Sequence, residues 1–364
     1  MRDTTARRAI ATRLAVAAAV LVAALAIAAC GGDGDGGSGD KKSAKDVKVF
    51  YSVYDRQAAF FRGCIAGVEG ESKRLGLDEE TQVSGPDPTK QIQQMENAIL
   101  RKPDVIIITP IDANALSSVS KKAMDAGIPV IGLCDDRGSA EGKAGDDRIS
   151  YVGPDYELTG EQKAKYPAEQ LKGKGKVGAF FGVRGVPFDI GVNAGYSKVL
   201  KQYPGIEYIK GPYSKEYTAE AGLRSAQNLL TGNPDLDAMI CDNSDQCIGA
   251  IKAIKDRGIK PADIVVTSND GIVPELEAVK RGDIDYTIAW CAYDEGATAV
   301  RQGVDLITKG EEPPEYTLDV GREYTTETIP PNAEPVGEKC SKPNFKVTIK
   351  EPKSDLIKEV LDNR

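Results

Sequence analysis

Histidine is absent from the 364-residue chain. Its absence excludes Ser-His-Asp and Cys-His catalytic sites, HExxH metalloprotease motifs and every histidine-ligated metal centre. The GxxxxGK[ST] phosphate loop is also missing, so the chain does not hydrolyse ATP through that motif. Basic residues are outnumbered, with 47 lysines and arginines against 55 aspartates and glutamates. Because an acidic body repels phosphate backbones, we expect no nucleic-acid partner.

Two short patterns look like active-site motifs, but their context argues against both. The run 173–178 matches GxGxxG, yet it precedes a predicted strand, whereas the dinucleotide fingerprint follows a strand and opens a helix. Asp135 and Asp136 could form a glycosidase acid pair, but adjacent residues need not face each other across a bond. We therefore expect a protein that is not an enzyme and holds no cofactor or metal.

The N-terminus carries a basic segment and then an apolar one. The apolar run from Leu14 to Ala29 follows four arginines and is itself followed by Cys30. It is short for a membrane span and has the layout of a secretory signal. Residues 27–30 resemble the bacterial lipobox, in which the cysteine is lipidated and becomes the mature N-terminus. We predict a lipoprotein signal peptide over 1–29 and a lipid anchor at Cys30 on the outer face of the cytoplasmic membrane. A plain signal peptide and an uncleaved anchor are the alternatives.

Residues 30–46 are predicted to be a flexible linker rich in glycine and aspartate. Beyond it, an oxidising compartment permits disulfides among the remaining cysteines. The sequence does not choose between the possible pairings, and free buried thiols are an equal alternative. The six cysteines are Cys64, Cys134, Cys241, Cys247, Cys291 and Cys340.

From Lys48 onward, short apolar runs alternate with longer helical patterns. Continuous apolar strands between helices indicate parallel sheets that are covered on both faces. We therefore predict an α/β fold of two Rossmann-like lobes, each a doubly wound parallel sheet. The tail after Ile329 is rich in proline. It offers a strand-like run at Phe345–Ile349 and an apolar stripe over 356–361, which we expect to pack on the body. The predicted strands are Val49–Tyr54, Val105–Thr109, Val130–Cys134, Ile149–Val152, Val177–Gly182, Tyr208–Gly211, Ala238–Cys241, Ile264–Ser268 and Tyr286–Trp290.

Polar and aromatic residues cluster where the predicted strands end. In a doubly wound sheet, these strand ends converge on one crevice. Many acids and amides at such positions are instead helix caps or turn residues. As a set, however, acids and amides can bind hydroxyl groups, and aromatic faces can cover the apolar side of a ring. The pattern predicts a small polyhydroxylated ligand at residues that include Tyr54, Asp55, Phe60, Phe61, Asp135, Asp136, Asn243, Asp270 and Trp290.

These motifs, in this order and spacing, resemble the type I periplasmic binding proteins of ABC importers, specifically the ribose- and galactose-binding class. The resemblance covers roughly Lys48 to Ile329. It implies two lobes joined by three crossovers that close on a sugar. We expect an N-terminal lobe of 47–153 plus 292–312, a C-terminal lobe of 154–291 plus 313–330, and an extension of unknown role over 331–364. The resemblance rests on Phe60-Phe61, the run 103–110, Gly127 to Ile131, Asp242-Asn243, Asn269-Asp270-Gly271 and the run 287–290.

The resemblance also assigns roles to individual residues. Phe60 and Phe61 resemble the aromatics that sandwich the sugar ring, and Asn243 and Asp270 resemble the amide and acid that bind its hydroxyls. Either Asp135 or Asp136 resembles the acid of the first lobe. Trp290 falls where the ribose binder has a smaller polar residue on a hinge strand. The family's arginine in the second lobe is missing near Asp189 and Asn193, and Arg184 could replace it.

The sequence therefore predicts an extracytoplasmic solute-binding subunit that captures a sugar, polyol or cyclitol by hinge closure. It would deliver this ligand to a membrane permease. The permease and its ATPase must be separate chains, and we expect a monomer attached to the membrane through its lipid alone. The alternative is a receptor subunit for a sensor kinase or chemoreceptor on the same fold. A transcription regulator is rejected, because a secretion signal stands where its DNA-binding helices would lie.

Overall fold

The structure, a computed structural model, describes residues 42–135, 147–348 and 353–364. The predicted signal peptide, Cys30 and Asp136 lie outside the described residues. Within the described part, no helix is both long and apolar enough to cross a membrane.

Seven strands form the sheet of the first lobe. They lie in the order β13-β11-β5-β4-β3-β1-β2, and all neighbours are parallel except β13, which pairs with β11 in the antiparallel sense. The central strand β3 reads VIIIT and is buried at all five positions, as expected for a strand covered on both faces. The strands are β1 (Lys48–Val53), β2 (Asp78–Val83), β3 (Val105–Thr109), β4 (Val130–Leu133), β5 (Ser150–Pro154), β11 (Tyr316–Asp319) and β13 (Phe345–Thr348).

Six strands form the sheet of the second lobe, in the order β12-β10-β9-β8-β6-β7. Again one edge strand is antiparallel, because β12 pairs with β10 in that sense. The strands are β6 (Lys174–Phe181), β7 (Gly205–Tyr213), β8 (Ala238–Ile240), β9 (Val265–Asp270), β10 (Tyr286–Ala289) and β12 (Arg322–Thr325). Both sheets confirm the predicted α/β class of two lobes.

Helices cover both sheets. The first lobe carries α1, α2, α3, α9 and α10, and the second carries α4 to α8. Their bounds are α1 (Ala59–Leu75), α2 (Pro88–Arg101), α3 (Ala113–Asp125), α4 (Tyr156–Gln170), α5 (Pro187–Leu200), α6 (Ala219–Gly232), α7 (Ser244–Asp256), α8 (Val273–Arg281), α9 (Ala292–Lys309) and α10 (Ser354–Asp362).

Before the C-terminal extension, the chain crosses between the lobes at three short points. It leaves the first lobe at Pro154–Asp155, returns at Trp290–Cys291 and crosses again at Val320–Gly321. One boundary differs from the sequence-based division, which assigned 313–330 to the C-terminal lobe. Strand β11 instead pairs with β5 of the first sheet, so residues 316–319 lie in the first lobe. A four-residue strand carries too little pattern to reveal which sheet it joins.

The C-terminal extension returns to the first lobe. After β12 it supplies the edge strand β13, and α10 buries Ile357 and Val360 against the core, where the sequence placed its apolar stripe. Its last residue, Arg364, forms an ion pair with Asp104.

All six described cysteines are paired. The disulfides join Cys64 to Cys134, Cys241 to Cys247 and Cys291 to Cys340.

Candidate functional site

A cavity lies between the two lobes, at the carboxyl ends of strands from both sheets. The space open to the centre of a water-sized sphere is about 30 Å³, and one water molecule needs roughly 10–15 Å³ on that measure. The lobes are therefore closed tightly on each other. The lining residues are Tyr54, Ala58, Phe60, Phe61, Asp135, Tyr156, Phe188, Tyr217, Asn243, Asp270 and Trp290.

Asp135 reaches the cavity through an unusual turn at the end of β4. The preceding residue, Cys134, has φ of 60°, a left-handed conformation that is rare for residues other than glycine. Its carbonyl accepts hydrogen bonds from the hydroxyls of Tyr151 (3.1 Å) and Tyr156. The disulfide to Cys64 ties the same turn to α1. These contacts offset the conformational cost and fix the direction of the Asp135 side chain.

The Asp135 carboxyl group is shared between the two lobes. The Tyr54 hydroxyl, in the first lobe, donates to Oδ2 at 2.7 Å, and the backbone N–H of Phe188, in the second lobe, donates to Oδ1 at 3.0 Å. Burial raises the pKa of Asp135 to about 7, although both hydrogen bonds oppose that shift. Asp135 thus joins the lobes directly in the closed state.

The second lobe contributes one amide and one further acid. Asn243 caps α7, where its Oδ1 accepts from the N–H of Gln246 at 3.0 Å. Asp270 ends β9 with φ of 103°, again a conformation that favours glycine. Its carboxylate accepts from the Asn269 side chain at 2.6 Å and from the N–H of Ser244 at 3.3 Å. Burial, reinforced by the nearby Glu275 charge, raises the pKa of Asp270 well above its usual range.

Aromatic rings from both lobes and from a crossover close the cavity. Trp290 is only 1% exposed and follows β10, where the chain returns to the first lobe. Its ring lies edge-on to Phe60, Tyr156 and Phe188, with centroids 5.1, 5.9 and 6.4 Å away. Edge-on packing fixes each ring and gives the cavity rigid apolar walls.

Seven of the residues predicted from the sequence meet at this cavity, and four others do not. Asp55 lies outside it and accepts from the N–H groups of Gln57 and Ala58 at the start of α1, which is the alternative that the sequence left open. Arg184 places its guanidinium over the Tyr213 ring at 4.1 Å. Asp189 and Asn193 bond to each other at 2.6 Å near the start of α5. The seven are Tyr54, Phe60, Phe61, Asp135, Asn243, Asp270 and Trp290.

Three aromatic lining residues were missed by the sequence reasoning. Tyr156 is the first residue of α4, Phe188 is the second residue of α5, and Tyr217 immediately precedes the cap of α6. Each follows the carboxyl end of a strand, so the rule that found Phe60 could have found them too. They give the second lobe its own aromatic wall.

Two groups of described side chains lie close enough together to hold a metal ion. One contains Cys64, Cys134 and Glu295, and the other contains Cys291, Asp294 and Cys340. In both groups the two sulfur atoms are joined in a disulfide. Because a cysteine binds a metal as a thiolate, the paired cysteines of both groups are not available as metal ligands.

Known proteins resemble this chain over most of its folded part. Residues 49–312 match the family described as periplasmic binding protein domain. The chain is 30% identical over 260 residues to the ribose import binding protein of Salmonella typhimurium, which covers 69% of this chain and 81% of that protein. It is 26% identical over 279 residues to the xylitol-binding protein of Mycolicibacterium smegmatis, with 76% of each protein covered.

Solved structures of solute-binding proteins also superpose on this chain. The periplasmic ribose ABC transporter protein from Conexibacter woesei superposes with a TM-score of 0.67 at 33% identity, over 80% of this chain and 95% of that one. An ABC transporter solute-binding protein from Actinobacillus succinogenes with bound D-allose gives a TM-score of 0.70 at 27% identity, over 78% and 99% of the two chains.

Proposed function

The chain belongs to the periplasmic binding protein family, and we propose on that premise that it captures a sugar or sugar-like polyol for an ABC importer. Relatives named for ribose and xylitol, and a solved relative that holds D-allose, support this ligand class. The observation that carries the proposal is the cavity itself. Two acids and an amide meet rigid aromatic walls there, at the carboxyl ends of strands from both lobes.

Each lining group has a task in binding a polyol. The Asp135 and Asp270 carboxyls and the Asn243 amide exchange hydrogen bonds with hydroxyl groups, and bonds to charged acceptors contribute roughly 1.5–3 kcal/mol each. Phe60, Phe61 and Trp290 cover the apolar C–H surface of the ligand. Because the acids lie in different lobes, only the closed form can use both.

Binding must therefore proceed by closure. The closed cavity leaves room for only a few water molecules, so a ligand enters when the lobes separate about the three crossovers. Contacts such as that of Asp135 with the N–H of Phe188 then re-form around it. The ligand favours the closed form because it contacts both lobes only there.

The family places the protein outside the cytoplasm. We propose in addition that Cys30 carries a lipid and that the 30–46 linker tethers the body to the membrane. We also propose that the protein acts as a monomer and catalyses no reaction, with the permease and ATPase on separate chains. The relatives are import proteins, which does not favour the alternative of a receptor for a sensor kinase.

A thermal-shift screen tests the ligand class. The panel contains D-ribose, D-allose, xylitol, myo-inositol and further pentoses and hexoses. A ligand that binds only the native state raises the melting temperature. We expect at least one compound to do so, and we expect Asp270→Asn to abolish the rise. Asp263→Asn, an exposed acid of the same lobe, is the matched control. A panel that leaves the melting temperature unmoved would refute the proposal.

A further inference from the structure

Lys163 is completely buried in the second lobe, although it does not line the cavity. It lies on α4 and extends beneath the ends of β8 and β9. Its ammonium donates to the carbonyl oxygens of Cys241 at 2.6 Å and Asp242 at 2.9 Å, and to the side-chain Oδ1 of Asn269. Three acceptors match the three N–H groups of an ammonium, so this buried cation is fully bonded.

The three acceptors lie on the two segments that carry the second-lobe cavity residues. Cys241 and Asp242 directly precede Asn243 after β8, and Asn269 directly precedes Asp270 at the end of β9. The Lys163 side chain thus holds the two segments together through its hydrogen bonds. Any change in their spacing would move Asn243 relative to Asp270.

Asn269 connects Lys163 to the cavity residue Asp270. Lysine can only donate, so the amide oxygen of Asn269 must face it. The amide nitrogen then faces the other way and donates to Asp270 Oδ1 at 2.6 Å. Asp270 also has an unfavourable backbone conformation, with φ of 103°. It therefore needs such external support to hold its carboxylate in place.

The positive charge of Lys163 also acts on the Asp270 carboxyl. Burial lowers the pKa of Lys163 to about 8, and Asp242, Asp270 and Glu275 oppose that shift. Reciprocally, the ammonium favours the ionised form of Asp270, against burial and the charges of Glu275 and Asp245. Other ionisable groups around Asp270 and Lys163 are Asp242, Glu295, Tyr156 and Tyr196.

We propose that Lys163 is a positioning residue for ligand capture, which holds Asn243 and Asp270 at a fixed spacing and places a positive charge that favours the ionised form of the Asp270 carboxyl. The ligand part of this inference rests on the proposed function. The electrostatic part does not, since it concerns Asp270 in the protein alone.

The first experiment needs no ligand. Carbon-13 NMR follows the titration of the Asp270 carboxyl, identified by its loss in Asp270→Asn. In Lys163→Met we expect its pKa to rise by on the order of one unit or more, because a neighbouring positive charge has been removed. The matched control is Lys165→Met, which changes a lysine of the same helix that is 63% exposed. An unchanged Asp270 titration in Lys163→Met would overturn the proposal.

The second experiment measures affinity by calorimetry for D-ribose, xylitol and myo-inositol between pH 5 and pH 8. We expect Lys163→Met to weaken binding at least tenfold and to move the midpoint of its pH dependence to higher pH. Adding Asp242→Asn should restore part of the affinity, because it removes one uncompensated carboxylate. Equal affinity in Lys163→Met, or weaker binding with an unmoved midpoint, would contradict the positioning role.

The outcomes separate the two proposals. If no compound of the thermal-shift panel binds the wild type while the Asp270 titration shifts in Lys163→Met, the ligand class fails and the electrostatic part of the inference stands. If Lys163→Met does not fold, Lys163→Gln keeps N–H donors without the charge. The Asp270 pKa should rise in that variant too, and an unchanged value there would again refute the inference.

Discussion

The indole of Trp290 meets the ring of Phe60 edge-on, with the ring centroids 5.1 Å apart. Trp290 follows β10 at the second crossover, whereas Phe60 is the second residue of the first-lobe helix α1. One pair of rings therefore connects a hinge segment to the wall of the cavity. A ligand that enters between the lobes would lie against both rings, because both line the cavity.

Tryptophan fluorescence should consequently report ligand binding. Trp290 is the chain's single tryptophan and is 1% exposed, so its emission comes from one buried site. We expect a saturable change in emission during titration with any sugar or polyol that raises the melting temperature. The titration curve should give the same affinity as calorimetry. A compound that binds by calorimetry yet leaves the emission unchanged would place the ligand away from Trp290.

Replacing Asp135 should weaken closure. In Asp135→Ala the N–H of Phe188 and the hydroxyl of Tyr54 lose their acceptor in the closed form. An unsatisfied buried donor costs about 1–3 kcal/mol, whereas opening returns both groups to water. We expect a larger radius of gyration by small-angle X-ray scattering and at least tenfold weaker binding.

Asp125→Asn, in an exposed ion pair of the same lobe, is the control for this change. Tyr54→Phe removes one of the two bonds to Asp135 and should have a smaller effect. An Asp135→Ala variant with unchanged dimensions and affinity would show that the contact between the lobes contributes little to closure.

Stability should decrease as the pH rises from about 4 to about 7. Burial raises the pKa of several carboxyl groups, so the folded state holds protons that the unfolded state has already released. Groups of this kind contribute most below their unfolded pKa, near 4, and the contribution is lost as the pH passes their folded values. They are Asp135 and Asp242 (about 7), Glu275 (about 6), Asp270, Glu295 and Asp319.

Calorimetric melting of the oxidised protein provides the check. We expect a melting temperature several degrees higher at pH 5 than at pH 8, and a smaller difference in Asp135→Asn. The lowered pKa of Lys163, about 8, acts in the opposite sense but mainly above this range. A melting temperature that rises steadily from pH 5 to pH 8 would contradict the assigned shifts.

The sequence predicted the fold well wherever a buried strand consists of a continuous run of apolar residues. Apolar runs such as Val105–Thr109 match the observed strands, because a central strand that is covered on both faces must be apolar throughout. Strand β2 was missed because Asp78–Val83 is an edge strand of polar residues with no buried face. Strand β11 was assigned to the wrong side of the hinge, since sheet membership depends on partners far away in the sequence.

The site was predicted in part for similar reasons. Strand ends locate the crevice, so Asp135, Asn243 and Asp270 could be named from the sequence alone. Whether a strand-end acid faces the cavity or bonds to the backbone of a turn depends on side-chain direction, which sequence spacing does not encode. Asp55 forms such a turn ahead of α1. Lys163 gave no local signal at all, because its partners lie on segments at least 78 residues away.

Membrane attachment should depend on Cys30, the predicted lipidation site. In Cys30→Ala the lipid cannot be added, and the described body offers no helix able to span a bilayer. We expect the variant to appear in the soluble extracytoplasmic fraction with an unchanged melting temperature. Cell fractionation and metabolic labelling with a fatty acid test this, with Cys241→Ala/Cys247→Ala as the cysteine control. A variant that stays membrane-bound would disprove the lipid anchor.

The Cys291–Cys340 disulfide should stabilise the protein more than the Cys241–Cys247 disulfide does. Their sequence separations are 49 and 6 residues. Loop-closure entropy then predicts losses of about 4 and about 2 kcal/mol in the free energy of unfolding when each pair is replaced by alanine. Urea unfolding of the two double variants measures the difference.

The Cys291–Cys340 disulfide also attaches the C-terminal extension next to the second crossover. Cys340 lies in a segment where Val336, only 2% exposed, donates its N–H to the carbonyl of Gly271 at 3.0 Å. Gly271 follows the proposed ligand residue Asp270, and Cys291 follows Trp290. Opening this disulfide should therefore weaken ligand binding as well as stability. Unchanged affinity in Cys291→Ala/Cys340→Ala would mean that the extension does not support the site.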